Sequence, residues 1–369
     1  MSVSLVSCRI IWLVSAMLFG TAAVCPGDES RTEGIALDWQ PLPDLPDELG
    51  VAGPFAGVHN DALIVAGGAN FPLPVWETDK IWHDRIHVLV RSGEQLQWID
   101  GGTLPRPIAY GATMSTSDGI VCIGGNDAEN IFDDVFVLRW NAETRKVERH
   151  EYPKLPRPCV YAQAALIGDV IYLAGGQTGS GLDSAMDNLW SLDLSARDDP
   201  QRFQWREHPA CPGGRRAFNL TVAQHNGQED CLYVISGRRD GAEGIEFLDD
   251  VWEFAPTTQT WRKRRSAPRC VMAGTATGSG KRQVLVLGGA DGTLFDRSDA
   301  LRDAHPGFPR QALAYDTISD MWSSAGTMPQ NQVTTAAVRW NDQIMLPSGE
   351  VRPRVRTPKV WSITARPKR

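Results

Sequence analysis

The chain has 369 residues and a formal net charge of −7, and 42% of its residues are hydrophobic. This composition supports a substantial core and excludes non-specific attraction to nucleic acid as an expected function. The 35 glycines, 24 prolines and 13 tryptophans favour many short strands joined by tight turns and argue against a fold of long helices.

The N-terminus predicts a cleaved secretory signal over residues 1–23. Arg9 precedes an apolar run over residues 10–24, and the small-residue sequence TAA offers a cleavage site. The run is shorter than a membrane-spanning helix requires, and no second segment of the sequence is apolar enough to span a bilayer. We therefore expect a periplasmic or secreted protein. A lipid anchor on Cys25 is the alternative, although the bulky Val24 stands where such sites carry a small residue.

The rest of the chain repeats itself about every fifty to sixty residues. Each repeat has a short apolar strand that ends in glycine, then a loop and a second strand such as DDVFVLRW. In most repeats a further segment follows, with Trp before a Pro-containing turn. The strand-ending glycines are Gly68, Gly125, Gly176, Gly237, Gly289 and Gly349. Glycine suits this position because the backbone must turn there with positive φ and pack closely against its neighbours.

The last repeat lacks its Trp-containing segment, and the stretch IALDWQPLPDLP at residues 35–46 has the same signature. The first strand is therefore expected to complete the last repeat and close a ring, which hides sheet edges that an open array would expose. We predict an all-β fold, namely a single six-bladed β-propeller over residues 35–369. Its Trp, Tyr and Gly pattern resembles the kelch repeat, so the fold class is a kelch-type β-propeller.

Two sets of loops should open at the same end of such a ring, those that enter the inner strands and those that follow the glycines. Both sets carry arginines: Arg106, Arg157, Arg216 and Arg269 in the first, and Arg238 in the second. Converging guanidinium groups would favour an anionic ligand such as a carboxylate. The alternative is that each arginine braces a neighbouring loop.

The sixth repeat departs from the pattern, because Ser348-Gly349 replaces the glycine pair of four other repeats and Glu350 follows directly. A glutamate recessed in a pocket can act as a general acid or base. Arg356, six residues further on, can return over the pocket, and a neighbouring guanidinium favours the ionised form of a carboxyl group. The alternative is a purely structural ion pair.

Three stretches resemble the sialic acid mutarotases (N-acetylneuraminate epimerases), which are periplasmic kelch propellers. They are GVAGPFAGVHNDALIVAGGANF at residues 50–71, AYGATMSTSDGIVCIGG at 109–125 and SGEVRPRVRT at 348–357. The family's catalytic Glu lies in an NGE sequence with its Arg six residues later, which the resemblance transfers to Glu350 and Arg356. The order of the blades is rotated, as in a cyclically permuted branch of that family. The segment from Ala290 to Gln311 is shorter than the family's helical insertion, so its role as a lid and the exact sugar stay open.

The resemblance implies interconversion of the α and β anomers of a sialic acid, with no metal or organic cofactor. Glu350 would transfer the proton, and Arg356 would hold the sugar carboxylate. We assign supporting contacts with the substrate to Asn70, Tyr110, Tyr161, Gln177, Arg216 and Arg238. The alternative function is a non-catalytic propeller that binds acidic glycans or a protein partner, and the oligomeric state is left open.

Other enzyme classes fit the sequence less well. The Ser-x-Asp-x-Gly-x-Thr-Trp boxes of a sialidase are absent, and the seven histidines are too scattered for a copper oxidase of the galactose-oxidase type. His83 and His87 are four residues apart, but they lie where a loop is expected to enter a strand, so we expect no metal site there. The six cysteines after the signal are also scattered, which favours buried thiols and leaves disulfide pairing open.

Overall fold

Short aliphatic runs form the inner strands of the fold. The stretch ALIVA, for example, is a strand in which all five residues are buried, as expected where other sheets cover both faces. The structure is a computed structural model that describes residues 1–2 and 34–368. Nearly all of the predicted signal segment, and Cys25, lie outside the described residues. Among the described residues, no helix has the length and apolar character needed to cross a membrane.

Six four-stranded antiparallel sheets form the blades of the propeller, which confirms the predicted fold class. Blade 1 contains β2 (Phe55–His59), β3 (Ala62–Ala66), β6 (Arg85–Ser92) and β7 (Gln95–Thr103). Blade 2 contains β8 (Ala112–Thr116), β9 (Gly119–Ile123), β10 (Val135–Asn141) and β11 (Lys146–Tyr152). Blade 3 contains β12 (Gln163–Ile167), β13 (Val170–Ala174), β14 (Leu189–Asp193) and β15 (Arg206–Glu207). Blade 4 contains β16 (Leu220–His225), β17 (Asp230–Gly241), β18 (Gly244–Ala255) and β19 (Thr260–Arg264). Blade 5 contains β20 (Thr275–Ser279), β21 (Gln283–Leu287), β22 (Gln311–Asp316) and β23 (Met321–Thr327). Blade 6 contains β24 (Val338–Trp340), β25 (Gln343–Pro347), β28 (Val360–Pro367) and β1 (Ile35–Pro41).

The remaining elements lie in the loops. Two short hairpins pair β4 (Ala69–Asn70) with β5 (Ile81–Trp82) and β26 (Glu350–Arg352) with β27 (Val355–Arg356). The helical segments are α1 (Ser298–Leu301) and four 3-10 turns at Leu182–Ser184, Leu194–Ala196, Phe295–Arg297 and Arg302–Ala304. Three of these five segments lie in the loop between β21 and β22, which becomes part of the candidate site.

The N-terminal strand closes the ring as predicted. β1 pairs antiparallel with β28 over its whole length, with Ile35 opposite Pro367 and Pro41 opposite Trp361. The Trp39 ring meets the Trp361 ring edge to face, with 6.2 Å between their centroids. The last blade thus takes one strand from the N-terminal side of the chain and three from the C-terminal side, so opening the ring would separate two distant parts of the sequence.

A ring of backbone hydrogen bonds surrounds the propeller axis. Each blade contributes one residue with φ between 52° and 64°: Gly53, Tyr110, Tyr161, Phe218, Ala273 and Thr334. Each donates its N–H to the carbonyl oxygen of the preceding member, and the Gly53 N–H donates to Thr334 O at 2.6 Å, which closes the circle. Five of the six are not glycine, so this left-handed conformation carries a strain cost that the surrounding structure must offset.

Tryptophans of the outer strands join adjacent blades. The indole N–H groups of Trp98, Trp205, Trp261 and Trp322 donate to backbone carbonyls of the preceding blade's outer segment at 2.8–3.0 Å. Each of these indoles is half-buried, so each Trp packs between two blades while the preceding blade satisfies its N–H donor.

Five cysteines in the described part of the chain are free and buried: Cys122, Cys159, Cys211, Cys231 and Cys270. Burial raises the pKa of each thiol. These residues therefore act as small core side chains, as the scattered spacing favoured.

Candidate functional site

Six equivalent positions surround the axis at one end of the propeller, one directly after the strand-ending glycine of each blade. Each forms an isolated antiparallel bridge with the residue that precedes its blade's member of the axial ring. In blade order they are Ala69, Asn126, Gln177, Arg238, Ala290 and Glu350. Two of them are charged, Arg238 in blade 4 and Glu350 in blade 6, with the small Ala290 of blade 5 between them.

A cavity of about 880 Å³ opens over this end of the ring. Its base includes the axial-ring residues Tyr110, Tyr161 and Phe218, and one of its walls is the loop over residues 290–309. Arg238 and Glu350 both line it. This volume is within the range of sites that hold small organic ligands. On the other side of the axial ring lies a narrower space of about 130 Å³, which is lined in part by Thr113, Gln163 and Thr275.

The Ser348-Gly349 sequence explains how Glu350 reaches this position. Ser348 has a φ of 55°, and its hydroxyl accepts a hydrogen bond from the Val51 N–H at 2.8 Å, across the junction with the first blade. Gly349 has a φ of +119°, and a Cβ at that position would lie 2.8 Å from the carbonyl oxygen of Val333. Only glycine tolerates both this backbone conformation and this close approach. The turn then delivers Glu350 to the start of β26.

Glu350 and Arg356 face each other across the β26–β27 hairpin. Oε1 of Glu350 lies 3.1 Å from Nη1 of Arg356 and accepts the Arg354 N–H at 3.0 Å. Nη1 of Arg356 has no hydrogen-bond partner among the described residues, so its contact with Glu350 is an ion pair without hydrogen-bond geometry. The Glu350 side chain is 17% exposed, and the Arg356 side chain is 3% exposed. The carboxylate is thus fixed through one oxygen while it remains accessible from the cavity.

Arg356 has further partners besides Glu350. Its Nη2 donates to the Tyr110 hydroxyl at 3.3 Å, and its Nε donates to Ala69 O at 3.4 Å. Burial alone would lower the pKa of Arg356, but the Glu350 carboxylate raises it, and the net direction is upward. Arg356 is therefore a permanent buried cation whose hydrogen-bonding groups are directed at the protein.

Aromatic rings form a continuous band along one side of the cavity base. The Tyr161 and Phe218 rings are stacked with centroids 4.1 Å apart, and Tyr110 lies 5.2 Å from Tyr161. Burial raises the pKa of Tyr161, so its hydroxyl stays protonated and can donate a hydrogen bond. The Arg238 guanidinium lies over Phe218 at 4.4 Å, and Lys80 lies over Tyr110 at 5.0 Å. Such a band offers flat apolar surface and hydroxyl groups to the faces of a sugar ring.

Five of the eight sequence-predicted site residues line this cavity: Tyr110, Tyr161, Arg238, Glu350 and Arg356. The other three do not, and their expected ligand contacts are corrected here. Asn70 is buried and donates to Gly50 O at 3.0 Å. Gln177 is buried and donates to Gly179 O at 2.7 Å.

Arg216 is the third correction. Its side chain is 1% exposed and forms a two-pronged ion pair with Asp250 at 2.7 and 2.9 Å. A third bond, from Nη1 to Ser236 O at 3.1 Å, occupies the guanidinium further. Asn70 and Arg216 hold loops in place because a buried polar group must find partners within the fold. Gln177 holds its loop through Nε2, and its buried Oε1 has no hydrogen-bond partner among the described residues.

The other arginines of the entering loops also act as braces. Arg106 forms an ion pair with Asp134 and lies over the Phe132 ring. Arg157 lies over the Trp190 ring at 5.5 Å, and Arg269 donates to backbone carbonyls, including that of Cys270 at 3.0 Å. The expected convergence of these guanidinium groups on one ligand is therefore not found.

Sequence reasoning missed several residues of the cavity wall, among them Lys80, Phe295 and His305. These belong to loops whose length and course the repeat does not determine.

The sequence does carry one signal for the two charged positions of the cavity. Ser-Gly replaces the glycine pair in blade 4 as well as in blade 6, and these are the two blades in which a charged residue follows. Ser236 repeats the role of Ser348, because its hydroxyl accepts the Val271 N–H at 2.8 Å.

Comparisons with known proteins agree with this architecture. The family described as KLHDC2/KLHL20/DRC7 Kelch-repeats domain matches residues 55–289. An N-acetylneuraminate epimerase of Haemophilus influenzae (strain PittEE) is 28% identical over 246 residues, which is 60% of this chain and 60% of that protein. An N-acetylneuraminate epimerase of Yersinia enterocolitica is 36% identical over 129 residues, or 30% of this chain and 31% of that protein. The chain therefore spans less than two thirds of the length of these relatives. The solved structure of YjhT covers 88% of this chain, with all but 1% of its own length matched, at a TM-score of 0.63 and 16% identity, which indicates a shared fold.

Proposed function

The chain belongs to the Kelch-repeat family, and on that premise we propose that it is a mutarotase that interconverts the α and β anomers of a sialic acid or a closely similar acidic sugar. The observation that carries the proposal is the Glu350–Arg356 pair at the cavity. Both residues match the positions that the resemblance to the sialic acid mutarotases implied. The similarity to proteins named N-acetylneuraminate epimerase supports the same chemistry.

In the proposed reaction the Glu350 carboxylate accepts the proton of the anomeric hydroxyl. The bond between the anomeric carbon and the ring oxygen breaks, and the ring oxygen takes up that proton from the Glu350 carboxyl group, which regenerates the carboxylate; ring closure runs these transfers in reverse. The open-chain ketone then rotates about the bond next to the former anomeric carbon and closes on its other face. Atoms and electrons balance without an oxidant, a reductant or a second substrate.

Oε2 of Glu350 is the atom best suited to this role. Oε1 is occupied by Arg356 and the Arg354 N–H, whereas Oε2 makes no hydrogen bond with residues 34–368. A carboxylate fixed in this way needs little reorganisation before it accepts a proton. In this arrangement the buried Arg356 orients the base.

The alternative function is a propeller that binds an acidic ligand without turnover. The cavity and its arginines are compatible with that function. A binding protein, however, does not require beside its ligand a carboxylate with one oxygen that is free of hydrogen bonds. The two functions differ in the expected effect of removing the Glu350 charge. A binding protein keeps its affinity and never accelerates anomer exchange.

The test is exchange NMR on freshly dissolved α-anomer of N-acetylneuraminate, with and without the protein. We expect acceleration by the wild type and a loss of about two to four powers of ten of it in Glu350→Gln, the usual contribution of one positioned acid or base. Glu246→Gln is the matched control, because Glu246 is 48% exposed and its ion pair with Arg239 lies on the β17–β18 hairpin. Full activity in Glu350→Gln would falsify the assigned role, and no acceleration by the wild type with any sugar would leave the binding function.

A further inference from the structure

We propose that Arg238, rather than Arg356, binds the carboxylate of the sugar and thereby selects acidic sugars whose carboxylate is attached to the anomeric carbon. This inference deepens the proposed function and rests on it for the identity of the reaction. It reassigns a role that sequence resemblance gave to Arg356. The assignment depends on which guanidinium group of the cavity is free to bind an anion.

Arg356 cannot easily serve as the anchor. Three of its atoms already contact protein groups, namely the Glu350 carboxylate, the Tyr110 hydroxyl and Ala69 O. Its side chain is 3% exposed. A ligand carboxylate would have to compete with Glu350 for the same cation and would lie beside another negative charge.

Arg238 differs from Arg356 because it forms no ion pair with a carboxylate among the described residues. Its Nε is buried without a hydrogen-bond partner among the described residues. Two carboxylates of the neighbouring strand β18 pair with other arginines: Asp250 with Arg216, and Glu246 with Arg239. Burial lowers the pKa of Arg238, as expected of a cation whose charge is incompletely compensated. A buried donor without a partner is costly unless a ligand supplies one.

The position of Arg238 is fixed more firmly than that of an ordinary surface arginine. Its backbone pairs with Ala217 in both directions at 2.9 Å. Its guanidinium lies 4.4 Å from the Phe218 ring and 5.1 Å from the Phe295 ring, so one aromatic residue of the axial ring and one of the loop over residues 290–309 hold it. Stacking on aromatic faces leaves the edge of a guanidinium, which carries its N–H donors, available for a carboxylate.

The propeller symmetry places this anchor relative to the base. Arg238 and Glu350 occupy equivalent positions in blades 4 and 6, and the blade between them contributes only Ala290. A ligand that reaches both must lie over blade 5, beneath the loop of residues 290–309. In a 2-keto acid sugar the carboxylate and the anomeric hydroxyl share one carbon, so Arg238 and Glu350 would act on neighbouring groups. In a uronic acid the carboxylate is on the carbon at the other side of the ring oxygen, so it is separated from the anomeric hydroxyl by more bonds and cannot satisfy both residues in the same way.

Two other cations of the cavity are weaker candidates. Arg354 donates to Thr78 O at 3.2 Å and lies over the Phe71 ring at 4.3 Å. Lys80 lies over three rings, with Tyr110 nearest at 5.0 Å, and is held by no backbone pairing equivalent to that of Arg238. A lysine also lacks the planar pair of donors that matches a carboxylate. Lys80 is therefore included in the test as the competing residue.

The experiment measures equilibrium binding of two unreactive probes, the α-methyl glycoside of N-acetylneuraminic acid and its methyl ester. Neither has a free anomeric hydroxyl, so binding is separated from turnover. We expect the wild type to prefer the acid by roughly 10- to 150-fold, the range for a hydrogen bond to a charged group. Arg238→Gln should lose this preference, and Arg238→Lys should restore part of it.

Arg239→Gln is the matched control, because it removes the same charge from the adjacent residue, which forms an ion pair with Glu246 outside the cavity. It should keep the preference of the wild type. An unchanged preference in Arg238→Gln, or its loss in Lys80→Gln instead, would overturn the assignment. Near-ultraviolet circular dichroism of each variant checks that its fold is intact.

The outcomes also separate this inference from the proposed function. Acceleration of anomer exchange that is equal for N-acetylneuraminate and its methyl ester would keep the mutarotase and remove the anchor. An acid preference that depends on Arg238, in a protein that accelerates no exchange, would keep the anchor and remove the mutarotase. Acceleration with glucuronate equal to that with N-acetylneuraminate would contradict the inferred substrate class.

Discussion

Replacing Arg216 tests whether this residue stabilises the propeller or belongs to the candidate site. Arg216→Met removes both hydrogen bonds to Asp250 and the bond to Ser236 O, and it leaves Asp250 with the Trp252 indole as a remaining donor at 2.6 Å. Breaking a buried ion pair from one side costs about 3–5 kcal/mol. Because the Asp250 side chain is 18% exposed and keeps one donor, we expect the lower end, about 3 kcal/mol.

The effect should appear in thermal unfolding. With about 2.1 cal/mol/K of unfolding entropy per residue, a loss of about 3 kcal/mol corresponds to a fall of roughly 4 °C in the unfolding midpoint of a propeller of this length. Asp250→Asn should lower the midpoint as well, and the double variant should lose less than the two single variants added together, since they share one interaction. Below the midpoint, anomer-exchange activity per folded molecule should stay within about twofold of the wild type, as expected of a scaffold residue.

The same pair predicts a pH dependence. Burial alone would raise the pKa of Asp250, but the Arg216 ion pair lowers it below the ordinary value. The unfolded chain therefore takes up this proton first on acidification, so the stabilisation is complete above the ordinary pKa of Asp and is lost as the pH falls through the folded one. The midpoint difference between wild type and Arg216→Met should accordingly shrink below about pH 4. A variant with an unchanged midpoint and lost activity would show that Arg216 belongs to the site after all.

Two further predictions concern the cavity wall and the base. Burial and the Arg352 charge lower the pKa of His305, against an opposing effect of Glu350, and its Nδ1 accepts the Gly307 N–H at 3.0 Å. Protonation breaks that bond, and the lowered pKa places it below the ordinary value of His, so hydrogen exchange across residues 295–308 should rise, relative to intrinsic rates, as the pH falls below about 6.5. The same rise in His305→Asn would contradict this. Gly349→Ala forces a side chain into a φ of +119° at a cost of about 1–3 kcal/mol and displaces the backbone that carries Glu350. Exchange activity should fall more than stability does, and a normal rate would show that the turn does not position the base.

Much of the fold was accessible from the sequence, because repeated strand and turn signals are local and recur in each unit. The glycine spacing predicted the number of blades, and the Trp39 signature predicted which strand closes the ring. The axial ring was not predicted. Tyr110, Tyr161 and Phe218 each have a φ close to 60°, a conformation that bulky residues rarely adopt, so residue type at these positions did not indicate it.

The candidate site was accessible where a repeat was broken. Glu350 stands out because a carboxylate follows Ser348-Gly349, and the structure places it at the cavity beside Arg356. The arginines were harder to assign. Arg216 precedes β16 and Arg238 lies in β17 of the same blade. Arg216 forms a buried ion pair, whereas Arg238 has a buried nitrogen without a hydrogen-bond partner among the described residues.

The sequence by itself determined the ring, the strand that closes it and the one blade with an acidic residue at its axial end. Each of these features is written in residues that are neighbours along the chain or recur at a regular spacing. Only the tertiary structure decided which charged groups are free to meet a ligand, because their partners come from distant positions. Arg216 meets Asp250 34 residues away, and Arg356 meets Tyr110 246 residues away. Whether a cation is already neutralised depends on those contacts, and no local pattern records them.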